Sequence, residues 1–128
     1  MYSLNVWLFL GLAGAAGAMS RFGLVAGLQH GLSIGVPYGT LLVNIVGCAG
    51  AGALWALLDR HQYLDSELRL ILLVGYFGAF TTFSTFALET VALLRQEQWL
   101  IASLNLLLHN ALGIIALLMG VAVVKASA

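Results

Sequence analysis

Gly75-Tyr76-Phe77-Gly78-Ala79-Phe80-Thr81-Thr82-Phe83-Ser84-Thr85-Phe86 places four threonine and serine hydroxyls inside a long apolar run, interleaved with phenylalanines at 80, 83 and 86. Glycines followed by threonines are weak helix formers, and threonine hydroxyls compete for backbone carbonyls. The stretch therefore predicts a helix broken at its centre. In lipid, a break leaves carbonyls that only protein, water or an ion can satisfy. Such carbonyls are hard oxygen ligands suited to an alkali cation, and two copies meeting at the break would supply enough of them. The phenylalanines carry a second argument. A ring has a negative face and a positive edge, so the edges of Phe83 and Phe86, three residues apart on one helical face, can solvate a small anion where water is excluded. The plainer reading makes both rings packing residues, and the Thr/Ser cluster around them weighs against it.

Outward from this stretch the chain is apolar almost throughout: 62% of its 128 residues are hydrophobic and only 8% are charged. That is too few charges to cover a water-facing surface, so the surface must face lipid. Four apolar segments, at about 4–28, 38–58, 68–94 and 99–124, each reach the roughly 20 residues a helix needs to cross a bilayer. The expected fold is an all-α membrane protein of four spans, one domain over residues 1–128, with the third span broken. Punctuation falls at Gln29 to Pro37, at Asp59-Arg60-His61-Gln62 and at Arg95-Gln96-Glu97-Gln98. Asp65-Ser66-Glu67 offers N-cap chemistry to the third helix, Trp99 an interfacial ring and Lys125 a terminal anchor. The N-terminus shows no cleavable signal pattern. The single cysteine, Cys48, cannot form an intramolecular disulfide. Five basic and five acidic residues cancel, which removes an electrostatic case for nucleic acid.

The charges are also nearly balanced across the bilayer. Arg60, Arg69 and Lys125 fall on the side of the N-terminus, Arg95 and Arg21 on the other, and so small a bias gives the positive-inside rule little to act on. Either the chain is oriented by other means, or copies insert both ways and pair antiparallel. The second reading is preferred, because four thin helices rarely enclose a pathway alone.

Polar residues inside the spans mark candidate sites. In the first helix, glycines at 11, 14 and 17 suit close helix packing, whereas Arg21 either snorkels to the interface or holds an anion at the mouth of a pathway. In the second, Asn44 either bonds a neighbouring helix or offers its amide hydrogens to a passing anion, and Thr40 lies one turn earlier on the same face. Glu89 is a carboxylate three residues past Phe86. In the fourth, Asn105 and His109 share a face and extend the polar stripe of Thr40 and Asn44, while Asn110 points elsewhere. No metal-ligand spacing, nucleophile–base pair or phosphate-cradling loop is present, so no enzyme is expected.

At these residues the sequence resembles the Fluc (CrcB) family of small fluoride channels, over essentially the whole chain. The resemblance rests on Gly17-Ala18-x-x-Arg21, on Gly39-Thr40-x-x-Val43-Asn44-x-x-Gly47, and on Gly78-x-x-Thr81-Thr82-Phe83-Ser84-Thr85-Phe86-x-x-Glu89. It implies a multi-pass protein of the bacterial inner (plasma) membrane, assembled as an antiparallel, dual-topology homodimer with two fluoride pores. It implies a structural sodium ion at the dimer centre, held by the backbone carbonyls of Gly78 and Thr81 from each copy. Fluoride would meet the Asn44 amide and the ring edges of Phe83 and Phe86. The polar track would include Thr40, Thr82 or Ser84, and Glu89, with Asn105 and His109 in the fourth helix by position. The implied activity is passive export of cytoplasmic fluoride, which limits its toxicity. A small dual-topology multidrug transporter is the competing reading, but its chemistry needs a carboxylate in the first helix, and none is there. A non-transporting scaffold would explain the glycines but not the polar cluster.

Overall fold

A computed structural model describes residues 2–31, 38–60 and 66–127, the side chains of 29–31 excepted. Helix α1 spans Leu4–Gly31 and α2 spans Tyr38–Arg60. The third crossing is composite: α3 at Ser66–Arg69, a π-helical segment at Leu70–Phe77, α4 at Gly78–Phe80, and, after a break, α5 at Phe83–Arg95. The fourth is α6, Trp99–Ala126. Among the described residues, four stretches are long and apolar enough to cross a membrane: Leu4–Leu28, Tyr38–Arg60, Ser66–Arg95 and Trp99–Ala126. Each contains an expected span, and three of them run past its expected ends. Pro37, His61, Gln62 and the expected cap residue Asp65 lie outside the described residues.

The packing is inside-out relative to a water-soluble protein. Large apolar side chains such as Leu4, Phe22, Leu88 and Leu107 point outward, as a lipid or partner surface requires. Thr40, Thr82, Thr90, Asn105 and His109 are buried instead. In hydrocarbon a polar side chain is satisfied only by another protein group, so these residues turn inward and pair.

Glycines set how closely the helices approach. A Cβ on Gly52 would run into the Leu117 carbonyl, one on Gly120 into the Ala49 carbonyl, and one on Gly113 would sit 3.7 Å from the Cys48 sulfur. The pairs Cys48–Gly113, Gly52–Leu117 and Ala53–Gly120 rise together in number, so α2 and α6 run in the same direction with backbones nearly touching. Helix α1 packs chiefly against the π segment. There a Cβ on Gly17 would meet the Tyr76 carbonyl, and one on Gly75 would lie 3.0 Å from Ala13 Cβ and 3.2 Å from the Leu10 carbonyl oxygen.

The α5–α6 turn is closed by backbone bonds, with Gln98 Nε2 donating to Gln96 Oε1 at 3.0 Å beside them. The Gln98 N–H donates to the Leu93 carbonyl at 3.0 Å and the Glu97 N–H to the Leu94 carbonyl at 3.1 Å. This pattern ends a helix with a left-handed residue, and Glu97 takes that role at φ 58°.

Gly120→Ala should destabilise the detergent-solubilised protein by about 1–3 kcal/mol, the usual cost of overpacking. Gly23→Ala, where nothing among the described residues lies within 4 Å of the added carbon, should leave the thermal midpoint unchanged. Equal midpoints for the two variants would refute the backbone-contact reading of the α2–α6 seam.

Candidate functional site

The break falls at Thr81 and Thr82, both in extended conformation, at φ −78°, ψ 153° and φ −145°, ψ 112°. Each side of it is capped by a side chain. The Thr81 hydroxyl donates back to the Phe77 carbonyl at 2.9 Å, beside the Thr81 N–H, which reaches the same oxygen at 3.0 Å. On the other side Thr82 is the N-cap of α5: its hydroxyl oxygen accepts the Thr85 N–H at 3.2 Å and its hydroxyl donates to Thr85 Oγ1 at 2.9 Å. Ser84 Oγ lies 3.3 Å from Thr82 Oγ1.

What holds the extended pair in place comes from α2. The Thr82 N–H donates to Asn44 Oδ1 at 2.8 Å, and Asn44 Nδ2 donates to the Thr82 carbonyl at 3.1 Å. One side-chain amide thus satisfies both backbone groups of one residue, as a neighbouring strand would. Gly47, one turn further along α2, has no Cβ because the Thr81 methyl and the Phe80 ring occupy that space.

This arrangement releases two carbonyls. In an unbroken helix the Gly78 carbonyl would receive the Thr82 N–H and the Thr81 carbonyl the Thr85 N–H. Here those donors turn to Asn44 Oδ1 and Thr82 Oγ1. Gly78 and Thr81 are the residues expected to ligate sodium, and their oxygens fit a small hard cation: uncharged carbonyls, freed of their helical partners and carried by one short turn.

The other expected residues gather around α5. Phe86 is buried and Phe83 is 75% exposed, their ring centroids 5.3 Å apart at an interplanar angle of 67°. The two rings therefore meet edge to face, one inside the bundle and one on its surface. A recess of about 200 Å³ is lined by Asn44, Thr81, Thr82, Phe83, Phe86 and His109, with Cys48 and Asn110 at its wall. Thr40 Oγ1 donates to Glu89 Oε1 at 2.5 Å, and Glu89 Oε2 is buried with no partner among the described residues. Asn105 Nδ2 donates to Thr90 Oγ1 at 3.0 Å. His109 stacks on Phe86 with centroids 4.4 Å apart. Ser84 is exposed beside Phe83. Arg21 is partly exposed on α1, whose main neighbour is the π segment and not α5. Asn110 bonds its own helix, Nδ2 to the Leu106 carbonyl at 2.7 Å.

Two participants were not singled out by the sequence reading. Thr85 completes the N-cap. Thr90 joins α5 to α6, and its signal was present in the four-residue spacing of Thr82, Phe86 and Thr90.

The chain matches the family described as "CrcB-like protein, Camphor Resistance (CrcB)" over residues 8–121. A protein of Desulforapulum autotrophicum named "Fluoride-specific ion channel FluC" is 46% identical over 115 residues, covering 90% of this chain and 92% of that one. Proteins of the same name from Nitrosococcus oceani and Aeromonas salmonicida are each 40% identical, over 94% of this chain and 94% and 97% of their own lengths.

Asn44→Asp keeps an acceptor for the Thr82 N–H but sets a second oxygen against the Thr82 carbonyl. It should lower the unfolding free energy by about 1–3 kcal/mol, the cost of an unsatisfied buried group, seen as a fall in thermal midpoint. A wild-type midpoint would show that the paired bonds do not hold the break.

Proposed function

Because the chain belongs to the CrcB family, we propose that it is a fluoride-selective channel, through which cytoplasmic fluoride leaves passively down its electrochemical gradient. The observation that carries this reading is the pair of phenylalanines set edge to face at the mouth of a clamped helix break. Fluoride is small and strongly hydrated, so a selective path must replace its water with closely spaced donors. Of the two amide hydrogens on Asn44, one is committed to the Thr82 carbonyl and the other is left for an anion. The edges of Phe83 and Phe86 add polarised C–H groups. The Ser84 hydroxyl, together with Thr40 and Thr82, whose own protons go to Glu89 and Thr85, continues the polar line toward Glu89. Asn105 and His109 flank the same line from α6. Larger halides fit such a path poorly. Arg21 would raise the local anion concentration at one end or anchor α1.

The same reading calls for a second copy. Phe83 is largely exposed while its neighbour Phe86 is enclosed, which is half of a site whose other wall an antiparallel partner would supply. The near-neutral charge balance suits insertion in both orientations. At the axis of such a dimer the Gly78 and Thr81 carbonyls of both copies would hold a sodium ion, which supplies a fixed positive charge locking the two breaks together. The membrane is taken to be the bacterial inner membrane. The multidrug-transporter alternative lacks support, since α1 has no carboxylate.

Liposomes containing the protein should release fluoride with a potassium ionophore present and no proton gradient, while chloride stays trapped. Equal release of both anions would contradict the reading. Phe83→Ile and Phe86→Ile should each cut fluoride efflux at least about tenfold with the dimer intact, the scale expected for removing a placed electrostatic ligand. Wild-type efflux in either would remove the ring-edge role. Replacing sodium by a large organic cation should loosen the dimer on size-exclusion chromatography. Indifference to sodium would count against the carbonyl site.

A further inference from the structure

Phe86 and three residues around it form a closed circuit. The Thr90 hydroxyl donates to the Phe86 carbonyl at 2.8 Å. Asn105 Nδ2 donates to Thr90 Oγ1 at 3.0 Å. His109 Nδ1 lies 3.0 Å from the Asn105 carbonyl oxygen, and the His109 ring returns to the Phe86 ring with centroids 4.4 Å apart and planes inclined at 31°. Phe86, Thr90, Asn105 and His109 are all at least nine-tenths buried, with exposures of 4%, 5%, 6% and 9%. Phe86 is thus gripped at its backbone by Thr90 and across one ring face by His109.

The chemistry of the imidazole decides what His109 does there. A carbonyl oxygen only accepts, so the hydrogen bond to Asn105 places the proton on Nδ1. In the neutral ring Nε2 is then a lone pair, and it is buried without a partner among the described residues. A lone pair repels an anion. Neutral His109 therefore offers fluoride no donor, although its sequence position places it in the polar track. Its ring does something else. By covering one face of Phe86 it removes the negative face from the path and leaves the ring edge to meet the ion.

We infer that His109, Asn105 and Thr90 are positioning residues that act through Phe86, holding its ring edge-on to the anion path, and are not themselves fluoride ligands. The inference rests on the proposed channel function, and deepens it. Without the bracket the Phe86 ring would turn about its side-chain bonds, and a misplaced ligand of this kind loses rate even when the fold survives.

The test compares three variants in reconstituted liposomes, with thermal midpoint and dimer content measured on the same preparations. His109→Leu removes the aromatic cover and should reduce fluoride efflux about tenfold or more, the scale of a small misplacement of a reacting group. His109→Phe restores a ring without any nitrogen and should recover most of that loss, though not all, because the bond to the Asn105 carbonyl is still missing. Thr90→Val keeps the side-chain shape but removes both the grip on the Phe86 carbonyl and the acceptor of Asn105 Nδ2; its midpoint should fall by the cost of one unsatisfied buried donor, and its efflux should fall several-fold, out of proportion to that fall. Equal loss in His109→Phe and His109→Leu would show that an imidazole nitrogen is needed, and would overturn the inference in favour of a direct ligand. Wild-type efflux in Thr90→Val, or losses that follow the thermal midpoint in all three variants, would also overturn it. A failure of the channel function itself would look different, as absence of fluoride efflux from the wild-type protein.

Discussion

One side-chain amide holds the site together. Asn44 gives Thr82 both bonds that a helix would have supplied to its backbone, at 2.8 and 3.1 Å, and so makes an interrupted helix tolerable inside a membrane. Without that pairing an extended residue in hydrocarbon would leave a donor and an acceptor unsatisfied, each at a cost of roughly 1–3 kcal/mol. The chain would then close up into a continuous helix. The break places Thr82 as the N-cap that starts α5, and α5 in turn carries Phe83, then Phe86, then Glu89 and Thr90, about one turn apart. The position of every proposed fluoride contact on α5 follows from where that helix begins.

The rest of the bundle supports this arrangement from behind. Helices α2 and α6 run side by side in the same direction through glycine contacts, which levels Asn44 with His109 and Thr40 with Asn105. Against them α5 runs the other way, so that Thr82 meets Asn44, Phe86 meets His109, Glu89 meets Thr40 and Thr90 meets Asn105. The polar groups pair in two levels around Phe86. This close packing leaves a few polar atoms over, among them Glu89 Oε2 and His109 Nε2, both buried without partners among the described residues. By the tautomer argument His109 Nε2 is an acceptor, and Glu89 Oε2 is one when the carboxyl is ionised. The donors that remain cluster near the break and the phenylalanine edges.

Much of this was legible in the sequence because membrane proteins advertise exceptions. Four apolar runs predicted four helices, and the glycines and threonines of 75–85 predicted the break. The polar residues of the spans stood out singly as Thr40, Asn44, Glu89, Asn105 and His109. What those residues bond to was not legible, since Asn44 and Thr82 are 38 residues apart and Thr40 and Glu89 are 49 apart. The π segment at Leu70–Phe77 was also hidden. Its residues are apolar on every face, so periodicity carries no information about the width of the turn. The contrast between an exposed Phe83 and an enclosed Phe86 was out of reach for a related reason. Hydrophobic side chains facing lipid, a partner copy or the core read alike.

The most direct measurement is the reversal potential of single channels in a planar bilayer with both salts on both sides, sodium fluoride concentrated on one and sodium chloride concentrated on the other. A path built from one amide, a few hydroxyls and two ring edges is expected to conduct fluoride alone, so the current should reverse near the fluoride equilibrium potential. Reversal near the chloride potential, or midway between the two, would contradict a fluoride path through this break.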